Sequence, residues 1–491
     1  MQIAVTRKNI KFIPDSSRVI ARFLYTGEER AINTICAVMK MSKSEESAAL
    51  SPILRDYSLR HRNISKIFER HFNKVAHLFT TLDLDLESLE ISRKILIGSY
   101  FTMEYSIESA AFFNPSIFEH PDQSETGPGE QRVIFSFRST GEGHISSIVF
   151  RTGVLDKDNN LTIEPIGTML EEAEHIRRHI YNKKAFKKQL DEMTDFHGII
   201  PANLILDKLN DKFTYEELQK CIEEARKSIH LASDKEVLFN QITWLASSHY
   251  ELDFSLDTNI SERVIFPVSA NEKNGIEDAR FVKFINDDGE TIYYATYTAY
   301  DGTSILPKMI ETRDFYHFRV FPLYGEIAQN KGMALFPRKV NGKYVMLCRL
   351  DGFNNYIAFS DKINIWRKAN LLQQPKFPWE LIQIGNCGSP IETPEGWLVI
   401  THGVGPMREY VLGASLFDLQ NPEKEIGRLK SPLLMPNAEE REGYVPNVVY
   451  SCGSMIHDND LIIPYAMSDY ASTYATVNVR VLLDELKKSK Q

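Results

Sequence analysis

The segment GIEDAR places the carboxylates Glu277 and Asp278 next to the guanidinium of Arg280. A carboxyl group whose pKa is set by its neighbours can act as a general acid or base when it lies in a cleft. Adjacent residues of a strand point to opposite faces, so we expect only one of the two carboxylates to face such a cleft. An acidic pair beside an arginine is also typical of a structural salt bridge, and the motif alone leaves both interpretations open.

Two further polar segments lie next to apolar strands. Asn114 stands in an Asn-Pro-Ser segment, and Arg138 precedes the glycine-rich turn of FRSTGEGH. The glycine spacing fits no phosphate-binding loop, so a turn that needs glycine explains it equally well. Asp469 ends the segment YAMSD, where a carboxylate is suited to bind sugar hydroxyls but is also a common turn former.

Three basic side chains stand near strand ends in the C-terminal half: Lys331 before ALFP, Arg349 in MLCRLDG and His402 in ITHGV. Arginine and lysine donate charge-assisted hydrogen bonds to the oxygens of anions. A cluster of these residues would therefore suit phosphate or an anionic substrate. Taken singly, each is typical of a surface charge or of a hydrogen-bonded histidine.

The elements that must position these residues repeat along the chain. Four C-terminal segments combine an apolar strand, a turn and further strands: RFVKFINDDGETIYYATYTAY, ALFPRKVNGKYVMLCRL, SPIETPEGWLVITHGV and VVYSCGSMIHDNDLIIPYAMSD. A fifth copy spans SAAFFNPSIFEH, QRVIFSFRST and HISSIVFRTGVLD. Copies about 55 residues apart predict a mainly β, five-bladed propeller, with a β-sandwich as the structural alternative. Polar residues at strand ends would then meet at one mouth of the central channel.

Two blocks of the sequence indicate helices. In the first, apolar residues recur at three- and four-residue spacing over 30–41, 44–62 and 63–78, with Ser42 and Asn63 as caps. The second contains amphipathic segments over 171–193, 214–228 and 234–252. We therefore divide the chain into an N-terminal strand and helical region (1–98), a first blade (99–168), a helical insertion (169–255) and the remaining blades with the C-terminal segment (256–491).

The composition excludes several classes of protein. The 491 residues are 43% hydrophobic and 25% charged, and the net charge of -9 gives no attraction for a nucleic acid. No uncharged run reaches the roughly 18 residues of a membrane-spanning helix, and the first residues lack a signal-peptide core. Five widely spaced cysteines form no metal-ligand pattern. We expect a cytoplasmic protein with no metal, no membrane partner and no nucleic-acid partner.

Taken together, the motifs resemble family 130 of the glycoside hydrolases, the β-mannoside phosphorylases and β-1,2-mannosidases. The most specific strings are GIEDAR, KGMALFPRKVNGKYVMLCR, IGNCGSPIETPEGWLVITHGV, EGYVPNVVYSCG and YAMSD. The resemblance implies a five-bladed propeller, and the helical blocks look like those of a longer branch of the family. Those blocks are expected to cover the mouth of the propeller, to shape the acceptor sites or to form the interface of a homo-oligomer.

The resemblance also implies roles for residues of this chain. Asp278 matches the general acid, which acts through the 3-hydroxyl of the mannosyl unit, and Ala279 replaces the usual proline after it. Asn114, Arg138 and Asp469 match positions that contact the sugar. We place Glu277 in the same substrate-binding set.

Phosphate in the family is bound by a basic set that maps onto Lys331, Arg349, Gln383 and His402. Gln383 departs from the pattern, because the family usually has lysine there and a neutral amide supplies no charge to phosphate. This departure permits a hydrolase, in which Glu380 or another loop carboxylate would activate water. Three basic positions favour phosphorolysis instead.

The sequence therefore predicts an inverting β-mannoside phosphorylase. It would cleave a β-1,2- or β-1,4-linked manno-oligosaccharide with inorganic phosphate as co-substrate and without any cofactor, giving α-D-mannose 1-phosphate. An inverting β-1,2-mannosidase is the first alternative, and a non-catalytic glycan-binding propeller is the second.

Overall fold

The computed structural model describes residues 3–173, 175–178, 180–193, 203–228, 239, 242–243 and 245–489. Within them the protein is mainly β, with helices near the N-terminus, in the middle of the chain and at its C-terminal end. No helix in these ranges is long and apolar enough to cross a membrane.

The N-terminal region combines short strands with a group of helices. Its elements are β1 Val5–Arg7, β2 Val19–Phe23, α1 Glu28–Met39, α2 Lys43–Tyr57, α3 Ile64–Val75, α4 Leu78–Thr81, α5 Ile91–Tyr100 and β3 Thr102–Ser106. The three predicted helices are confirmed with shifted ends. Ser42 and Glu45 form the predicted capping box, and Asn63 occupies the N-cap position of α3. Gly98 lets α5 approach α3 closely, because a Cβ there would lie 1.8 Å from the carbonyl oxygen of Phe68.

The first sheet follows and confirms the N-terminal copy of the predicted repeat. It contains β4 Ala111–Glu119, β5 Gln131–Thr140, β6 Ser146–Leu155 and β7 Leu161–Ile163, paired antiparallel in chain order. Both faces of β5 are buried in its middle, with Val133, Phe135 and Phe137 on one face and Ile134 and Ser136 on the other.

The insertion that follows mixes strands with helices. It contains β8 Glu171–Glu172, β9 His175–Arg178, β10 Tyr181–Asn182, α6 Lys183–Met193, α7 Asn203–Leu206, β11 Lys212–Phe213, α8 Tyr215–Ser228 and β12 Tyr250–Asp253. The helix predicted over 214–228 is confirmed, whereas the one predicted over 171–193 is wrong in its first half. There β9 pairs with β12, and sheet hydrogen bonds override the helical propensity of the charged residues. Much of the predicted helix over 234–252 lies outside the described residues.

The strand after the insertion, β13 Arg263–Ile265, returns to the first sheet and pairs with β6. The C-terminal half then provides four more antiparallel sheets. They consist of β14 Gly275–Ile285, β15 Thr291–Tyr300, β16 Ile305–Thr312 and β17 His317–Pro322; β18 Ala334–Leu335, β19 Tyr344–Cys348, β20 Asn355–Ser360 and β21 Ala369–Gln373; β22 Gln383–Asn386, β23 Ile391–Thr393, β24 Gly396–Val404, β25 Tyr410–Phe417 and β26 Glu425–Arg428; β27 Val449–Tyr450, β28 Met455–His457, β29 Asp460–Met467 and β30 Ala471–Asn478. The helix α9, Val479–Lys488, follows β30. We number the five sheets one to five in this order.

Successive sheets contact one another, and the fifth returns to the first. The strand β14 packs on β4, β15 on β18, β20 on β22 and β25 on β27, while β29 and β30 pack on β4. Sheets one and two share a parallel pair, Gly275 with Ser146, and the amide of Cys452 donates to the carbonyl of Pro115 at 2.8 Å between sheets five and one. The N-terminal strand β1 pairs with β30 and completes the fifth sheet. The five sheets therefore form a closed series.

A buried ion triad attaches the N-terminal region to the first sheet. Glu108 is fully buried and accepts from Nε of Arg18 at 2.8 Å and from Nη2 of Arg151 at 2.7 Å. Arg18 also donates to the carbonyls of Gly167 and Ser261. If Glu108 were absent, the guanidinium groups of Arg18 and Arg151 would lie in a low-dielectric interior without the carboxylate that they share.

Replacing Glu108 by alanine should therefore lower the free energy of unfolding by about 3–5 kcal/mol, because two buried arginines lose their shared carboxylate. Urea denaturation of the purified variant measures the change. Glu125→Ala, at an exposed position in the loop between β4 and β5, is the matched control and should leave the midpoint nearly unchanged. Equal midpoints for the two variants would contradict the structural role of the triad.

Candidate active site

The start of β14 departs from regular strand geometry at the acidic pair. The pairing of β14 with β15 shifts between Glu277 and Arg280, and Asp278 has a left-handed φ of 54°. This bulge turns both carboxylates towards Arg138, which lies 2.8 Å from Glu277 and 3.5 Å from Asp278. The expectation that only one of them faces the cleft is wrong, because strict alternation does not hold across a bulge.

Asp278 is held between two residues of the first sheet. Asn114 donates to its Oδ1 at 2.7 Å, and Arg138 approaches the same oxygen. Asn114 itself lies at a bulge in β4 with φ 50°. Burial raises the pKa of Asp278, but the charges of Arg138 and Arg280 and the Asn114 hydrogen bond outweigh it, so the pKa lies below 3.8. Asp278 is therefore ionised at neutral pH.

Asp469 is the third carboxylate of the group. It lies in the turn between β29 and β30 with φ 53°, within electrostatic range of Asp278 and Arg138. Burial and then the charge of Asp278 raise its pKa to about 6, against the weaker effects of Arg138 and Arg408. Near neutrality the two aspartates thus differ, since Asp278 has lost its proton and Asp469 is close to its titration point.

Glu277 joins the acidic group to the predicted phosphate set. Its Oε1 accepts from Arg138 and its Oε2 from Nζ of Lys331 at 2.5 Å. Lys331, which precedes β18 in sheet three, thus lies in the site, where it forms an ion pair with Glu277. The salt-bridge interpretation of the acidic pair is correct for both carboxylates, and it coexists with their placement in the site.

The other three residues of the phosphate set form a second group. Arg349 follows β19, Gln383 begins β22, and His402 lies on β24 opposite Gly385. The side-chain amide of Gln383 makes its hydrogen bonds in one orientation. In that orientation its oxygen accepts from Arg349 and from Nε2 of His402 at 2.9 Å, and its nitrogen donates to the carbonyl of Gly352 at 3.2 Å.

We expected His402 to be cationic, but it is neutral. Complete burial, followed by the charges of Arg349 and Arg280, lowers its pKa to about 3. The ring is packed so closely that a Cβ at position 385 would lie 2.5 Å from its Cε1, which explains the glycine there. His402 can still donate a hydrogen bond, but it adds no charge to the site.

Sequence reasoning assigned no role to Arg280, which links the two groups. It is buried, donates to the backbone carbonyl of Asp278 at 3.1 Å and donates to the hydroxyl of Tyr450 at 2.7 Å. The Tyr450 ring lies 5.0 Å from that of His402. Arg280 belongs to the GIEDAR motif, so its sequence position was a signal, but its contact with β27 depends on the closed series of sheets.

The side chains of this site come from all five sheets. Within the described residues, Nε of Arg138, Arg280 and Arg349 and Oδ1 of Asn114 are buried without a hydrogen-bond partner. Buried donors and acceptors of this kind are normally satisfied, and a polar ligand in the site would supply partners for these four atoms. In the same part of the chain no three His, Cys, Asp or Glu side chains gather as metal ligands.

Glu380, the expected base of a hydrolase, is occupied elsewhere. It is fully buried, pairs with Nη2 of Arg428 at 2.6 Å and accepts the backbone amides of Lys376 and Phe377. These contacts cap a short 3₁₀ helix. The observed position assigns Glu380 a structural role and contradicts its expected use as a base.

The mainly β fold and the cluster of carboxylates and arginines where five sheets meet are typical of a carbohydrate-active enzyme. This chain belongs to glycoside hydrolase family 130. Residues 245–488 match the family model, which is described as beta-1,4-mannooligosaccharide phosphorylase. Asn114 and Arg138 precede this match, so their place in the site is supported by the geometry.

Characterised relatives confirm the resemblance. A 1,2-beta-oligomannan phosphorylase of Thermoanaerobacter sp. (strain X514) is 38% identical over 211 residues, which cover 41% of this chain and 69% of the relative. A beta-1,2-mannobiose phosphorylase of the same organism is 35% identical, with coverage of 44% and 68%. The solved beta-1,2-mannobiose phosphorylase from Listeria innocua is 21% identical with a TM-score of 0.45, covering 77% of this chain and 92% of its own.

The raised pKa of Asp469 has a measurable effect on stability. The folded protein keeps this proton up to about pH 6, whereas the unfolded chain loses it near pH 3.8, so stability falls as the pH rises through that interval. Asp469→Asn removes the charge and tolerates the same backbone. The variant should exceed the wild type by about 3 kcal/mol at pH 7.5, and the gain should vanish near pH 4.

Urea denaturation at the two pH values measures this difference. Asp458→Asn is the matched control, because Asp458 also has a positive φ of 51° and is exposed. A gain of the same size at both pH values, or a similar gain in the control, would contradict the assignment.

Proposed function

We propose that the protein is an inverting β-mannoside phosphorylase. It would cleave a β-1,2- or β-1,4-linked manno-oligosaccharide with inorganic phosphate and release α-D-mannose 1-phosphate and a shortened acceptor. The names of the relatives support this activity, and those with more than 30% identity include both β-1,2 and β-1,4 enzymes. The observation that carries the proposal is that three cationic side chains, Arg138, Arg280 and Lys331, act electrostatically on the buried carboxylate of Asp278.

In this proposal the five sheets are the blades of a propeller. Residues 99–168 and 256–491 supply the blades, to which β1 and β12 add strands, and the rest of 1–98 and 169–255 forms the helical additions. The closed series of contacts supports such an arrangement, and it accounts for a site to which every sheet contributes. The helical additions would provide the interface of a homo-oligomer.

The charge of the site suits a phosphate dianion. The site contains four cationic side chains, Arg138, Arg280, Lys331 and Arg349, and three carboxylates, Glu277, Asp278 and Asp469. Because Gln383 is neutral, the positive charge for phosphate comes from these four side chains, which outnumber the carboxylates.

The proposed reaction forms a bond between a phosphate oxygen and the anomeric carbon while the glycosidic bond breaks. Phosphate held by Arg349, Lys331 and Arg280 attacks from the α face, and His402 orients Gln383 beside Arg349 by donating its one N–H to the Gln383 oxygen. The departing oxygen takes a proton delivered under the control of Asp278 through the mannosyl 3-hydroxyl. The negative charge that collects on the acceptor side is neutralised as it forms.

Asp278 must gain this proton when substrates bind, because it is ionised in the free protein. A bound dianion draws the arginines to itself and opposes the charge of Asp278, and both effects raise the pKa of that carboxyl group. Asp469, whose pKa is about 6, lies close enough to act with Asp278 as a pair that shares one proton.

Phosphorolysis also predicts the cellular compartment and the co-substrate of the enzyme. The product is a charged sugar ester that a cell retains, so we place the reaction in the cytoplasm. Inorganic phosphate is the co-substrate, and general acid catalysis with electrostatic stabilisation needs neither a metal nor an organic cofactor.

The reaction class is tested by a product assay. Purified protein is incubated with β-1,2- and β-1,4-linked manno-oligosaccharides, with and without phosphate. We expect mannose 1-phosphate to form only when phosphate is present, and one linkage to be preferred. Release of free mannose at a rate independent of phosphate would show a hydrolase and overturn the proposal.

The acid is tested by Asp278→Asn, which keeps the left-handed backbone and the size of the side chain. Turnover should fall by at least about 10²–10⁴-fold, while calorimetry still detects saccharide binding. Asp288→Asn, at an exposed turn that follows the same strand, is the matched control and should retain full activity. Full activity of Asp278→Asn would remove Asp278 from the mechanism.

A further inference from the structure

A second cavity lies between the N-terminal helices and the first sheet, outside the site described above. We call it the α3 cleft, because α3 forms one wall and β2, β8 and β13 with the residues after it form the others. The larger of its two connected parts has a volume of about 490 Å³. Its main lining residues are Arg22, Arg70, Lys74, Glu172, Phe266 and Val268.

One wall of the α3 cleft is strongly cationic. Lys66, Arg70 and Lys74 follow one another at four-residue spacing, which places them on the same face of α3. Arg22 faces them from β2. This concentration of positive charge stands out in a chain whose net charge is -9.

The cleft provides few negative charges to balance these cations. Among the described residues Lys66, Arg70 and Lys74 form no ion pair, and Arg22 instead packs 4.5 Å from the ring centroid of Phe266. Glu172, which lines the cleft, lies within electrostatic range of Arg22, Arg70 and Lys74. Its neighbour Glu171 is bound to the amide of Ser255 and the hydroxyl of Thr258.

The side chains of the cleft respond to this positive field. Burial, helped by the charges of Lys74 and Arg70, lowers the pKa of His71 to about 4. Burial lowers the pKa of Lys74 as well, and Arg70 and Arg22 add to the effect against the opposing charge of Glu172. Like charges at four-residue spacing repel each other, so an anion that binds between α3 and β2 would relieve the repulsion.

The opposite wall is apolar and aromatic. Pro267 and Val268 form its surface, while the rings of Phe23 and Phe266 are covered by Nζ of Lys74 at 4.8 Å and by the guanidinium of Arg22 at 4.5 Å from their centroids. A bare phosphate ion would contact the cationic wall alone and leave this surface without a partner. A volume of about 490 Å³ falls within the range of small-molecule sites and accommodates a sugar ring as well as a phosphate group.

We propose that the α3 cleft binds a sugar phosphate, with its phosphate group on Arg70, Lys74 and Arg22 and its sugar ring against Pro267 and Val268. Glu172 would accept hydrogen bonds from sugar hydroxyls. The cleft shares no residue with the active site, so the inference goes beyond the proposed function and does not depend on it. A sugar phosphate bound there connects the N-terminal helices to the first sheet and stabilises their association.

Calorimetry with α-D-mannose 1-phosphate tests this site. The wild type should bind two equivalents, one in the cleft and one in the active site. Arg70→Gln/Lys74→Gln should lose the cleft equivalent, with affinity there weakened at least about tenfold, because two charge-assisted contacts disappear. Arg70→Lys/Lys74→Arg keeps both charges and should retain binding within a few-fold.

Arg30→Gln/Lys40→Gln removes two exposed charges from the N-terminal helical region outside the cleft and should bind as the wild type does. Arg349→Gln should lose only the active-site equivalent, so failure of the proposed function and failure of the cleft are separable. Unchanged binding by Arg70→Gln/Lys74→Gln would overturn the proposal. Equally tight binding of inorganic phosphate in the cleft would overturn the assignment of a sugar.

Discussion

A single guanidinium, that of Arg138, holds two adjacent carboxylates, and the rest of the site depends on this pairing. Glu277 and Asp278 would repel each other if they stood side by side in a poorly hydrated pocket without a shared cation. Arg138 reaches both only because β14 bulges and Asp278 adopts a left-handed backbone. A strained backbone of this kind persists only where surrounding contacts hold it in place, and here the contacts with the neighbouring sheet hold it.

The same interaction extends across three sheets. Arg138 belongs to sheet one and Glu277 to sheet two, and the second oxygen of Glu277 reaches Lys331 at the edge of sheet three. Arg280 continues the series to Tyr450 in sheet five. The positions of the acid, the sugar contacts and the cations are therefore mutually dependent, and each is set by how closely neighbouring sheets pack.

Much of this site could be predicted from the sequence, because strand-end motifs and repeats are local features. All nine candidate residues lie in two linked groups. The five sheets lie at the positions that the repeated strands and turns of the sequence predict. The charge of His402 could not be predicted, since it depends on burial and on Arg349 and Arg280, which are distant in sequence. The joint placement of Glu277 and Asp278 was missed because a bulge leaves no clear mark in one sequence. The strand character of 175–178 depends on pairing with β12, some 75 residues later.

The pairing of β1 with β30 has a consequence for how the protein is made. Val5 lies opposite Val477, so the fifth sheet gains this strand only after all the residues between the two have been synthesised. The insertion likewise separates β6 from its partner β13. Contacts between such distant segments slow folding, and until they form the edge of β30 is open to other chains. Strand β1 is thus among the last elements to reach its native neighbour, and the series of sheets closes late in folding.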